Sequence, residues 1–177
     1  MSATAHIRLM AQYNQWMNDK LYAACGQLDE GQLAQPCNAF FDSILATLNH
    51  IMVADLIWLR RYGGLPAAHE LQTALREYPI PNALNAILYA DFSALTAARM
   101  QLDGLICAWI NELTDAHLAQ VLDYRNSQDQ AHSKRFGDLL SHFFNHQTHH
   151  RGQLSTLLWQ QGIDIGVTDL VAMIPDS

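Results

Sequence analysis

Apolar side chains recur at helical spacing over four long stretches of the chain, and the residues that interrupt the pattern are mostly glycine and proline. In the first stretch, from about Ala3 to Leu28, Ile7, Met10, Ala11, Asn14, Met17, Leu21 and Ala24 trace one helical stripe. Ser2 or Thr4 is its predicted N-cap, and Gly26 and Gly31 mark its end. A second stretch is capped by Asp42 or Ser43, continues through Trp58 and stops before Gly63-Gly64. The third, from about Ala83 to Leu113, carries Leu84, Ile87, Leu88, Leu95, Leu102, Leu105, Ile106, Trp109 and Ile110, with Gly104 as a weak point against a straight helix. The fourth follows Gly137, has Asp138 near its start and ends at Gly162.

The connections complete the picture. Leu65 to Pro81, holding Pro66, Pro79 and Pro81, is the longest and predicts a crossing of the helix assembly. Between Leu118 and Arg135 the period changes: Gln120–Arg125 and Ala131–Arg135 flank Asn126-Ser-Gln-Asp-Gln130, the pattern of a short hairpin. Ile163 to Ser177 has mixed character and predicts a segment wrapping the surface or packing on the bundle end. The expected fold is all-α: a four-helix bundle with one long crossover connection and a short hairpin before the last helix.

Composition narrows the function classes. At 177 residues the chain fits one domain, 1–177, and 50% apolar residues with a mean hydropathy of −0.05 are the balance of a soluble globular protein. A net charge of −7 without a basic stripe excludes phosphate-backbone binding, so no nucleic-acid partner is expected. The longest hydrophobic stretch, Ser43 to Leu59, is broken by Asn49, His50 and Asp55, which speaks against a membrane span. The opening residues lack the pattern of a signal peptide. Cys25, Cys37 and Cys107 are odd in number and show no CxxC spacing, as a reduced cytoplasm permits.

The chemistry concentrates in histidine. His142, His146, His149 and His150 crowd Ser141-His-Phe-Phe-Asn-His-Gln-Thr-His-His-Arg-Gly-Gln153, and His50 stands in Asn49-His-Ile-Met-Val-Ala-Asp55. His146 and His150, four apart, share the seam of Leu139, Phe143 and Leu157 and therefore face the core. Two imidazoles buried together need partners for every nitrogen, and a shared cation serves both. His50, among the small neighbours Ser43, Ala46, Val53 and Ala54, offers a third nitrogen from another helix with room beside it. Three protein ligands leave a coordination position for chemistry. His142 and His150 are two turns apart, about 12 Å along the axis, too far to share one ion. His149, three residues from His146, competes, but it points about 100° away from His150 around the helix. His142 and His149 are accordingly read as supporting or surface residues.

Other sites are excluded by missing residues. No glutamate occurs from Phe136 onward, so neither HExxH nor the Glu-x-x-His pair of di-iron bundles can be written there, and the site is expected to be mononuclear. Neutral imidazoles suit zinc, nickel, iron or manganese alike. No nucleophile elbow or Walker loop is present. Asp55 and Tyr124 are acid/base candidates whose plainer readings are an intrahelical salt bridge and a hairpin aromatic. Arg151 reads as solvated or structurally paired, with capture of a substrate carboxylate as its functional alternative, and Trp16, Trp58, Trp109 and Trp159 read as core.

Three segments, Tyr13-Asn-Gln-Trp-Met-Asn18, Asp42-Ser-Ile-Leu-Ala-Thr-Leu-Asn-His50 with Asp55 and Trp58, and Asn145-His-Gln-Thr-His-His-Arg-Gly-Gln153, together resemble the DinB family of metal-dependent proteins, also described as DinB/YfiT-like. The resemblance covers most of the chain. It implies metal binding by His50, His146 and His150, a four-helix bundle and a homodimer. Relatives in the broader group include thiol-dependent transferases and a mycothiol-dependent maleylpyruvate isomerase. The function these readings favour is a cytoplasmic metalloenzyme that activates a low-molecular-weight thiol or water on a small-molecule substrate, as an S-transferase, thiol-dependent isomerase or hydrolase. Its rivals are a non-catalytic metal-binding stress-response or interaction module and, more remotely, a haem-binding bundle.

Overall fold

The computed structural model describes residues 2–174 and Asp176. Helix α1, Ala3–Cys25, starts where the Ser2 side chain accepts from the Ala5 N–H, and its partner α2, Glu30–Ala34, starts at a capping box made by Asp29 and Gln32. The first stretch therefore ends three residues earlier than its stripe suggested, and Gly31 lies inside α2 instead of marking a break. Helix α3, Ile44–Arg61, is capped by Ser43, whose hydroxyl accepts from Ala46 N–H at 3.0 Å.

The predicted crossing segment is more ordered than a bare connection. It holds a short helix α4, His69–Ala74, between single helical turns at Pro66–Ala68 and Leu75–Glu77. Arg60 at the end of α3 donates to the carbonyls of Leu75, Tyr78 and Pro79, tying the segment down.

The third long helix, α5, runs Phe92–Glu112, not from Ala83. Its true N-cap is Asp91, which accepts from Ala94 N–H at 2.7 Å. Residues 82–91 are turns because an α3 side chain competes for their backbone: Asn49 accepts the Tyr89 N–H at 2.9 Å and donates to the Tyr89 carbonyl at 3.0 Å. Leu84 and Ile87, counted in the apolar stripe, are accordingly exposed. Gly104 lies inside an uninterrupted α5.

After α6, Asp115–Leu118, the predicted hairpin forms, with β1, Val121–Arg125, antiparallel to β2, Ala131–Arg135, and Tyr124 opposite His132. The last helix, α7, spans Phe136–Gln160. A Cβ at Gly137 would stand 3.1 Å from the Leu118 carbonyl oxygen, so a glycine lets α6 and α7 meet. Gly162, at φ +79°, ends the stretch in the left-handed region.

The chain is mostly helical, with seven α-helices and one two-stranded sheet among the described residues. Helix α1 packs on α5 and α7, and α3 packs on α7 and α5. Tyr62 is fully buried, its ring 5.7 Å from Trp109 and 5.2 Å from Phe136, with its hydroxyl donating to the Leu139 carbonyl. Only Trp109 of the four tryptophans is fully core: Trp16 and Trp58 are half-buried and Trp159 is 68% exposed. Past α7 the chain returns along α1, where Tyr13 donates to the Thr168 carbonyl at 2.6 Å; Pro175 and Ser177, included in that expectation, lie outside the described residues. Among the described residues no helix is long and apolar enough to cross a membrane.

Candidate metal centre

Helices α3 and α7 pack side by side, and the heptad-like seam of α7 turns His146 and His150 toward His50. The three Nε2 atoms form a near-equilateral triangle: 3.3 Å between His50 and His146, 3.2 Å between His50 and His150, and 3.1 Å between His146 and His150. Two nitrogens held about 2.0–2.1 Å from a tetrahedral zinc stand about 3.3–3.4 Å apart, so the triangle fits one such ion with little adjustment.

The far ring nitrogens say which side carries the proton. His50 Nδ1 lies 2.8 Å from the Leu84 carbonyl oxygen, an acceptor only, and His150 Nδ1 lies 2.8 Å from Gln153 Oε1. Each Nδ1–H therefore donates outward, and both Nε2 atoms turn bare lone pairs toward each other. A neutral His146 can place one proton between them at most. Three neutral rings leave at least one inward lone pair unmatched, a gap that a shared cation would fill.

Added protons are a poor substitute for that cation. Burial lowers the affinity of all three rings for protons, and for His146, where the neighbouring histidines add repulsion, it pushes the pKa down to about 3. The rings are neutral at physiological pH, the form that ligates metals.

Around this triangle the structure adds parts that the sequence did not announce. The Phe41 ring stacks on His50 with centroids 3.8 Å apart and meets His150 edge-on at 5.6 Å. The space expected beside His50 is thus filled on one side by an aromatic from the preceding loop. Beside the rings opens a cavity of about 800 Å³ lined by Phe40, Phe41, Ala46, His50, Leu84 and His150, with Asp42, Asn85, His149 and Gln153 as its polar residues. His142 and His149 are exposed, as their positions on α7 implied: His142 leans against Trp58, and His149 hydrogen-bonds Gln153 at the cavity.

Beneath the histidines a buried polar chain joins four helices. Asp55 on α3 pairs with Arg99 on α5 at 2.6 Å, a contact between helices and not the intrahelical bridge read from the sequence. Arg99 also grips Asp103 through two nitrogens, at 2.7 and 3.0 Å. Asn14 and Asn18 on α1 donate to Asp103, and Arg151 on α7 donates to Asn14. Two carboxylates and two guanidiniums thus balance in the core, and Arg151 is structurally paired there with Asn14. His50 and His150 sit five residues and one residue from members of this chain, which fixes their helices against each other.

Comparisons with known proteins agree with this architecture. The chain is 25% identical over 166 residues to Protein DinB of Bacillus subtilis strain 168, covering 89% of this chain and 87% of that one. A crystal structure of a DinB-like protein from Bacillus cereus ATCC 10987 shares the fold, with a TM-score of 0.60 at 16% identity over 89% of this chain and 94% of the other. The sequence matches the model of the DinB family over residues 1–175, and the chain belongs to that family.

Proposed function

We propose that His50, His146 and His150 hold one divalent ion, zinc, nickel, iron or manganese, and that the protein is an enzyme acting on a small molecule in the adjoining cavity. The observation that carries this reading is the convergence of three Nε2 atoms, two with lone pairs fixed inward by outward-donating Nδ1–H groups, beside a cavity that His50 and His150 line. A bound ion of this kind acts as a Lewis acid that lowers the pKa of a thiol or water, making a nucleophile near neutral pH.

The chain's own residues have definite parts in this scheme. Leu84 and Gln153 hold the two imidazoles in the ligating tautomer, and Phe41 shields the His50 ring from water. The Asp55–Arg99–Asp103 chain ties α3 to α5, and Asn14 with Arg151 carries it on to α7. The cavity orients the substrate over the histidines. The reaction class is S-transfer, thiol-dependent isomerisation or hydrolysis. A bundle built on the four long helices and paired as a cytoplasmic homodimer belongs to the same proposal.

Metal analysis of the purified protein and of its His50→Ala, His146→Ala and His150→Ala variants tests the site. One equivalent in the parent and loss in each variant is expected; equal metal in all four refutes the assignment. Metal-dependent turnover of model electrophiles, with a thiol or with water alone, tests the chemistry. Stoichiometric metal with no turnover, together with collapse of cooperative unfolding on chelation, would instead establish a structural ion in a non-catalytic module.

A further inference from the structure

We infer that the cavity over the histidines selects a small neutral molecule with an apolar body and discriminates against polyanionic ones. The inference deepens the proposed function, resting on its reading of this cavity as the substrate site. Its walls carry the argument. Phe40, Phe41, Ala46 and Leu84 make the apolar part, and the single charged side chain is a carboxylate, Asp42. Among the described residues, which include all ten lysines and arginines, no cationic side chain lines it.

Four of those cations are committed elsewhere. Arg99 and Arg151 are buried in the core chain, Arg60 caps three carbonyls beyond α3, and Arg61 lies over Trp58. A ligand carboxylate, sulfonate or phosphate entering the cavity would lose its water without gaining a counter-charge from the walls, and would face Asp42 in a chain of net charge −7. A metal at the histidines would satisfy one anionic atom, the reacting one. A second negative charge on the ligand body has no partner. Thiols bearing several carboxylates are therefore poor occupants, and uncharged ones fit.

The loop that supplies the aromatic wall is built to hold it out. Phe40 is 87% exposed, and two non-glycine residues flanking the pair, Asn38 and Asp42, sit at φ 54° and 68° in the left-handed region. Cys37 N–H donates to the Asp42 carbonyl at 2.7 Å and Asp42 N–H to the Ala39 carbonyl at 2.9 Å, closing the loop with Phe41 against His50 and Phe40 at the cavity. Asn85 stands on the opposite segment with its amide free of protein hydrogen bonds among the described residues, a neutral group suited to one polar atom of the ligand.

Two fluorophores that differ by one sulfonate, N-phenylnaphthylamine and anilinonaphthalenesulfonate, titrated into metal-free protein test the selection. The neutral dye is expected to bind saturably, about tenfold tighter than the sulfonate. Phe40→Ser, at an exposed position and with its fold checked by circular dichroism, should weaken the neutral dye by about three- to tenfold, and Asn85→Lys should raise sulfonate affinity until the preference is lost. Equal or tighter sulfonate binding by the parent, no saturable binding of the neutral dye, or binding that ignores both substitutions would overturn the inference. The measurement needs no ion, so it stands or falls separately from the metal analysis.

Discussion

Replacing Gln153 with leucine tests how far the centre depends on groups that do not themselves ligate. In the parent, Gln153 Oε1 accepts the His150 Nδ1–H at 2.8 Å, and the same side chain bonds His149 through its Nε2. Leucine keeps the bulk and the helix but removes the acceptor. His150 can then shift its proton to Nε2, the atom facing His50 and His146, and a metal must displace that proton to bind. Loss of such an outer partner lowers metal affinity by about 10- to 100-fold, or about 1.4–2.7 kcal/mol. Competition against a chromogenic chelator at fixed pH measures it directly. Gln153→Glu, which keeps an acceptor and adds charge, should hold or raise the affinity. His149→Ala, which removes only the secondary contact, should change it by less than about threefold. Unchanged zinc affinity in a folded Gln153→Leu protein would refute the claim that tautomer control prepares the site.

Other outcomes follow from the same geometry. Arg99→Met strands the buried Asp55 and Asp103 carboxylates, and denaturant unfolding should show a loss of about 3–5 kcal/mol. Ser43→Ala removes the α3 cap beside the site and should cost about 0.5–2 kcal/mol in the same assay. For metal-free protein, the native histidines bind protons less readily than the unfolded chain, so the unfolded state gains protons on acidification. Stability should therefore be insensitive to these groups well above pH 6.5 and fall progressively from about 6.5 toward the His146 value of about 3, with a shallower fall in His146→Gln; equal slopes in the two proteins would contradict it. Added zinc should raise Tm in a concentration-dependent way, by about 2.7 kcal/mol of stability at a hundredfold excess over Kd, and His50→Ala should abolish the response.

Much of this was legible because it depends on period. His146 and His150 announce their shared face by spacing along one helix, His50 by its small neighbours at helical spacing, and the hairpin by two short segments around a polar turn. What stayed hidden depends on contacts between distant segments. Nothing local in Asp55 reveals that its partner is Arg99, 44 positions away, and a helical neighbour was the natural guess. Residues 83–91 look helical because Leu84, Ile87 and Leu88 have the right spacing, yet the Asn49 side chain captures Tyr89 and the helix begins only at Asp91. Phe41 stacks on a ligand candidate from an irregular loop, where no periodicity exists to point inward. Gln153 was visible as a flanking residue, and its spacing of three from His150 was the available sign of its part.

The outward anchor of His50 is a main-chain oxygen, and the clasp beside it, Asn49 on Tyr89, likewise holds main-chain groups. Almost any amino acid at positions 84 and 85 would therefore keep the imidazole aimed as it is, while changing what the chamber welcomes. The shape of the chamber and the aim of the histidines are thus separable here: a few side chains around the opening can change without rebuilding the frame that holds the imidazoles.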